Sequence, residues 1–144
     1  MLESFEKIPV KIYKDVATGS NAVAAQITQL IKEKQAQNKM CVLGLATGSS
    51  PLSVYRELVR LHEEENLSFE NVISFNLDEY YPLAKEDVQS YHFFMHSNLF
   101  DHVNIKPENI NIPSGEVSSE KLRKSCISYE GKIKSAGGID LQIL

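Results

Sequence analysis

Met40-Cys41-Val42-Leu43-Gly44-Leu45 and Asn71-Val72-Ile73-Ser74-Phe75-Asn76 are near-continuous apolar runs of strand length, and each stops at residues that carry chemistry. A strand with one wet face alternates apolar and polar residues. A run that does not alternate predicts a strand covered on both faces, as in a parallel sheet. The first run opens into Ala46-Thr47-Gly48-Ser49-Ser50-Pro51 and the second into Leu77-Asp78-Glu79-Tyr80. In an open parallel α/β sheet, ligands bind at the carboxyl edge of the strands, where both of these segments are expected to lie.

The segments between and around the runs read as helices. Asn21 to Gln37 carries Val23, Ile27, Leu30 and Ile31, the stripe of an amphipathic helix. Pro51 suits a first helical turn and Ser50 its N-cap, ahead of a helix with Leu52, Tyr55, Leu58, Val59 and His62 on one face. An aromatic helix is expected from about Ser90 to Phe100, then a turn at Pro107-Glu108-Asn109 and a short extended piece, Ile110 to Ile112. Ser118 or Ser119 is expected to cap a helix with Leu122, Cys126, Tyr129 and Ile133 on one face, stopped by Gly137-Gly138. Ile139 to Leu144 reads as a final strand and Ile8 to Tyr13 as a short β-prone segment. This alternation predicts a doubly wound, mostly parallel α/β sheet with helices on both faces, Rossmann-like in type. Residues 1–144 are expected to form a single α/β domain. A chain that stops on a strand at the functional edge is expected to be the N-terminal part of a larger one.

Composition narrows the classes of partner. The 144 residues have a formal net charge of -4, with Lys and Arg scattered, which argues against nucleic acid or an anionic membrane. No apolar run approaches the roughly 20 residues of a membrane span. Met1 to Lys7 lacks a basic start and an apolar core, so no signal peptide is expected and the cytoplasm is the expected compartment. Cys41 and Cys126 are far apart without metal-ligand spacing, and both are expected to be buried thiols.

Small residues at Thr47, Gly48, Ser49 and Ser50 let main-chain N–H groups turn toward an anion, and the helix start behind them adds further donors. The loop has no Walker Lys and does not match Gly-x-Gly-x-x-Gly, so ATP and NAD are disfavoured. A plain strand-to-helix turn fits the same residues. Asp78 and Glu79 follow a buried strand directly, and alternation points one toward the crevice and the other aside. Asp78 is the candidate general base and Glu79 a supporting carboxylate; two acids solvating a loop or capping the aromatic segment are the plainer alternative. His92 and His96 have the i, i+4 spacing of metal ligands, but the zincin Glu and a third ligand are missing. Packing on an aromatic helix is the favoured account, and no metal is expected.

Together these residues resemble the glucosamine-6-phosphate deaminase family over nearly the whole chain, from about Ile8 to Leu144. The most specific elements are Leu45 to Pro51, Val72 to Tyr80 and Ser90 to His96. Phe100-Asp101-His102-Val103 and Lys106 to Ile110 are also similar to the family, and Glu6 to Tyr13 is similar to longer members with an additional deacetylase-like domain. The resemblance implies that Thr47, Gly48, Ser49 and Ser50 hold the phosphate of an amino sugar. It implies that Asp78 moves a proton from C2 to C1 of the ring-opened sugar, after which the ketose imine is hydrolysed to fructose 6-phosphate and ammonia. No cofactor is implied, the partner is a phosphorylated amino sugar, and a homo-oligomer is compatible with it. In the family, the strand matching Asp140 to Leu144 leads into a Gly-rich loop whose Asp, His and Glu open the ring, and basic residues further on complete the phosphate site. These lie outside the 144 residues. The alternatives are a 6-phosphogluconolactonase-like hydrolase, disfavoured by Phe75-Asn76-Leu77-Asp78-Glu79-Tyr80, and a non-catalytic sugar-phosphate-binding domain.

Overall fold

A computed structural model describes residues 9–144. Four strands, β1 (Cys41–Leu45), β2 (Val72–Asn76), β3 (Ile110–Asn111) and β4 (Leu141–Gln142), form one sheet in the order β3-β2-β1-β4. Every pairing is parallel, and β1 runs in register with β2 from Cys41 opposite Val72 to Leu45 opposite Asn76. The helices are α1 (Val16–Ala36), α2 (Leu52–Glu65), α3 (Tyr91–Asn98) and α4 (Leu122–Ser135). None among the described residues is long and apolar enough to cross a membrane.

The sheet separates two unequal layers. Cys41, Leu43, Leu45 and Val72 face α1 and α2, which bury Ala24, Ile27, Ile31, Val54, Tyr55 and Leu58 against them. Each large apolar side chain buried here contributes about 1.5–3 kcal/mol. Phe75 points the other way and meets Tyr129 of α4 edge-to-face, with ring centroids 5.6 Å apart. The faces follow from connectivity. The β1-to-β2 and β3-to-β4 connections run across the sheet in opposite directions, so right-handed crossovers place α2 and α4 on opposite sides. The two directions diverge between β1 and β4, which creates a crevice at the carboxyl end of β1.

Several boundaries differ from expectation for identifiable reasons. α1 begins at Val16 rather than Asn21 because the Asp15 carboxylate caps it, accepting from the Thr18 N–H at 2.8 Å. α2 begins after Pro51, and Ser50 makes no capping bond; it stays in the turn. Ser118 also gives no side-chain cap, since a 3₁₀ turn, Ser119–Lys121, leads into α4. The described part of the β-prone segment, Pro9 to Tyr13, forms no strand. Ile8 lies outside the described residues, while Val10 and Ile12 are 68% and 93% exposed with no sheet edge to receive them.

The final strand is confined to Leu141–Gln142, tied down by the residue before it. The Asp140 N–H donates to the Val42 carbonyl, the Val42 N–H donates to Asp140 Oδ2, and Lys34 Nζ lies 2.5 Å from Asp140 Oδ1. Cys41 is buried, and burial, followed by the nearby Asp140 charge, pushes its thiol up to about 12. Cys126 is exposed, contrary to expectation, because α4 has no fully buried residue and its apolar face is only half covered.

Candidate active site

The loop after β1 is held from behind and left open in front. The buried Tyr55 hydroxyl of α2 donates to the Ala46 carbonyl at 2.5 Å, and Asn76 Nδ2 at the end of β2 donates to the Leu45 carbonyl at 3.2 Å. These bonds fix the point where the chain leaves the sheet. Beyond it, Gly48 adopts φ +94°, a conformation that residues with a Cβ rarely accept. Gly48, Ser49 and Ser50 are exposed, and among the described residues their main-chain N–H groups have no hydrogen-bond partner. Such donors at the entrance to a helix form an anion site in waiting. Thr47, Gly48, Ser49 and Ser50 therefore lie together at the crevice edge.

The segment after β2 is built differently. The Tyr129 hydroxyl donates toward the main-chain carbonyls of Asn76 and Asn111, at 2.8 and 3.0 Å. Burial raises that phenol's pKa despite the bond to Asn76, so it remains a neutral donor. Asp78 is exposed and lines a 340 Å³ cavity with Tyr81, Pro113, Ser114, Cys126 and Tyr129. Glu79 turns aside. Its Oε1 accepts from the N–H groups of Tyr80 and Tyr91, both at 2.8 Å, and its Oε2 accepts from the His92 N–H at 2.9 Å.

These bonds complete the start of α3. Ser90 Oγ accepts from the Phe93 N–H at 2.9 Å and the Ser90 carbonyl from the Phe94 N–H at 3.0 Å. With Glu79 serving Tyr91 and His92, the first four N–H groups of α3 are all satisfied. The anion-seeking donors of this edge are thus those of the loop after β1.

A second cleft, 410 Å³ in volume, joins the two segments; Gly48, Tyr80, Tyr81, Ser90, Tyr91 and Phe94 contribute to it. Gly48 and Asp78 line different cavities, and Tyr81 belongs to both. The rings of Tyr80 and Tyr91 lie 4.6 Å apart between centroids. The Tyr91 phenol is raised, first by the Tyr80 hydroxyl beside it. The far wall is pressed in closely. A Cβ on Gly115 would come within 2.4 Å of the Tyr80 and Leu83 carbonyl oxygens, and the Gly115 carbonyl accepts from the Leu83 N–H at 3.1 Å.

His92 and His96 stack at 4.4 Å between ring centroids, and His96 Nδ1 lies 2.7 Å from Asp101 Oδ1. Burial, then the neighbouring His96, lowers the pKa of His92. Among the described residues no three His, Cys, Asp or Glu side chains converge as metal ligands. The supporting residues Asn76, Tyr55 and Tyr129 were not singled out for the site from the sequence. Asn76 carried the one available signal, a polar residue at the end of a buried strand.

The family model for glucosamine-6-phosphate isomerases/6-phosphogluconolactonase matches residues 14–144. A glucosamine-6-phosphate deaminase-like protein of Bacteroides thetaiotaomicron is 45% identical over 144 residues, which is 100% of this chain and 22% of that protein. The glucosamine-6-phosphate deaminase of Clostridioides difficile is 52% identical over 103 residues, covering 72% of this chain and 41% of the relative. A solved monomeric glucosamine-6-phosphate deaminase superposes with a TM-score of 0.87 at 40% identity, over 94% of this chain and 54% of its own. Solved 6-phosphogluconolactonases share the fold at lower identity, with TM-scores up to 0.73. The chain spans from about a fifth to about half the length of the curated relatives it matches. Its parallel four-stranded sheet with helices agrees with these matches. The chain belongs to the glucosamine-6-phosphate isomerase/6-phosphogluconolactonase family.

Proposed function

We propose that this chain supplies the phosphate loop and the general base of a glucosamine-6-phosphate deaminase, as the N-terminal part of a larger domain. One observation carries the reading. The Asn76 side chain, at the root of the Asp78 segment, is hydrogen-bonded to Leu45, at the root of the Gly48 loop. Anion donors and an exposed carboxylate therefore sit on adjacent strand ends with their separation fixed.

Thr47, Gly48, Ser49 and Ser50 hold the phosphate through main-chain N–H groups and hydroxyls. In the ring-opened sugar, the C1 aldehyde acidifies the C2 proton. Asp78 takes that proton, leaving an enolamine, and returns it to C1. The C2 amine has then become a ketose imine; water adds to C2 and ammonia leaves, giving fructose 6-phosphate. No redox equivalent is consumed, since oxidation at C2 balances reduction at C1. A positioned carboxylate contributes about 10²–10⁴-fold to such a transfer. The substrate implied is a phosphorylated amino sugar, and the compartment this reading implies is the cytoplasm.

The test is ammonia release from glucosamine 6-phosphate by the full-length protein. Turnover is expected from the wild type and a collapse from Asp78→Asn, with substrate binding retained. Hydrolysis of 6-phosphogluconolactone without ammonia release would replace this reading with the lactonase one. Binding of the sugar phosphate without either reaction would make the chain a sensor.

A further inference from the structure

We infer that Glu79 is a positioning residue that locks the base-bearing segment to the aromatic wall of the phosphate cleft. The inference rests on the deaminase reading and assigns this carboxylate a task other than proton transfer.

Glu79 directly follows Asp78, and its carboxylate is engaged by three main-chain donors. One oxygen accepts from both Tyr80 and Tyr91, each at 2.8 Å, and the other accepts from His92 at 2.9 Å. The two residues sharing an oxygen are those whose rings lie 4.6 Å apart and line the cleft with Gly48. A single side chain thus ties together the chain leaving Asp78, the first turn of α3 and the two tyrosines between them. The bonds are charge-assisted, and the carboxylate lies at a helix N-terminus, where the macrodipole favours it.

The wiring exceeds what helix capping needs. Ser90 at the N-cap serves Phe93 and Glu79 serves Tyr91 and His92, but the bond from the Tyr80 N–H lies outside the helix and caps nothing. What a cap from twelve residues upstream adds is a fixed distance between α3 and the end of β2. In the proposed reaction the phosphate is anchored at the loop while the proton leaves C2 at Asp78. A shift of about 1 Å between those points costs on the order of 100-fold in rate without removing any reacting group. Asn76 fixes the roots of the two segments, and Glu79 holds the stretch beyond Asp78 against such a shift.

The experiment compares wild type, Glu79→Gln, Glu79→Ala and Asp78→Asn in the full-length protein, measuring kcat and KM for ammonia release and the folded fraction by circular dichroism. Glu79→Ala loses all three bonds, and kcat should fall about 100-fold with KM moving less than about threefold. Glu79→Gln keeps one acceptor oxygen for Tyr80 and Tyr91 and turns an NH₂ toward His92, so it should recover to within about tenfold of wild-type kcat. Partial rescue by the isosteric residue, with KM held, is the signature of positioning. If Glu79→Ala does not fold, a reduced kcat at unchanged KM in Glu79→Gln supports the inference, and wild-type kcat there overturns it. Losses that match the folded fraction in both variants overturn it in favour of plain capping. Absence of ammonia release from the wild type overturns the deaminase reading, and this inference with it. Wild-type release with a fully active Asp78→Asn also overturns this inference, since the segment Glu79 ties down would then carry no base.

Discussion

The two loops at the carboxyl edge occupy equivalent places on neighbouring strands and are held in opposite ways. After β1 the chain is fixed at its root, by Tyr55 and Asn76, and then exposes Gly48, Ser49 and Ser50, whose N–H groups have no partner among the described residues. After β2 the chain is bonded on either side of Asp78, through Tyr129 to Asn76 and through Glu79 to Tyr80, Tyr91 and His92. On the proposed reading, the segment that receives an anion keeps its donors uncommitted, and the segment that presents a base commits its neighbours so that one carboxylate stays free. Binding and proton transfer would then ask different things of the same strand-end geometry.

The largest expected effect tests the β2 side. Asp78→Asn keeps the shape but cannot accept a proton, so kcat should fall about 10²–10⁴-fold with KM little changed. Wild-type turnover would break the contrast, because the freely presented group would then not be the base.

Next comes the β1 side. Gly48→Val places a β-branched side chain at φ +94°, where strain rather than contact opposes it, since a Cβ there meets nothing within 4 Å. Binding of glucosamine 6-phosphate, measured by calorimetry, should weaken at least about tenfold, while binding of unphosphorylated glucosamine changes far less. Equal losses would show that the loop matters to the fold rather than to the anion.

Between the loops lies Asn76. Its Nδ2 joins them, while its Oδ1 is buried without a hydrogen-bond partner among the described residues. Asn76→Ala removes the joining bond and leaves the Leu45 carbonyl unserved, so denaturant unfolding should show a loss of about 1–3 kcal/mol. Asn76→Asp keeps the size but replaces the donor with an acceptor facing a carbonyl, and it should be worse than Ala. The reverse order would mean that the orphaned oxygen, not the bridge, dominates at this position.

The smallest effect lies at the opposite edge of the sheet, away from both loops. Burial opposes ionisation of Asp140, but hydrogen bonds from Lys34 and the Val42 N–H outweigh it and hold the carboxyl below its ordinary value. A depressed folded pKa gives stability that is present above the unfolded value, about 3.9, and is lost as pH falls through the folded one. Asp140→Asn should therefore be less stable at neutral pH and show a shallower loss on acidification below about pH 4. Unchanged acid sensitivity would assign the linkage to other carboxylates.

Much of this was legible in the sequence wherever apolar periodicity decided the outcome. β1 and β2 fall within a residue of the expected runs, α2 carries the expected face, and Thr47 to Ser50 and Asp78 stand at the strand ends. What escaped was long-range bonding. A local rule put Ser50 at a helix cap, whereas the loop keeps it free and Tyr55 supports the turn from inside α2. Capping of the aromatic helix is the plainer alternative for Asp78 and Glu79 in the sequence, and Glu79 does cap it, but no spacing rule says which of the two acids turns that way, because the 80–90 connection decides it. Cys126 read as buried because α4 is apolar on that side, but a stripe does not reveal how completely a neighbouring element covers it.

The close approach of Gly115 gives the cleft an adjustable wall. The main chain from Tyr80 to Leu83 rests against a residue that contributes nothing to the loop or the base, at a separation with no room for one carbon atom. Any side chain at 115 must push that wall inward or distort its own turn. A substitution at 115 would therefore reach the cleft through the back of its wall, while every side chain that lines it stays the same.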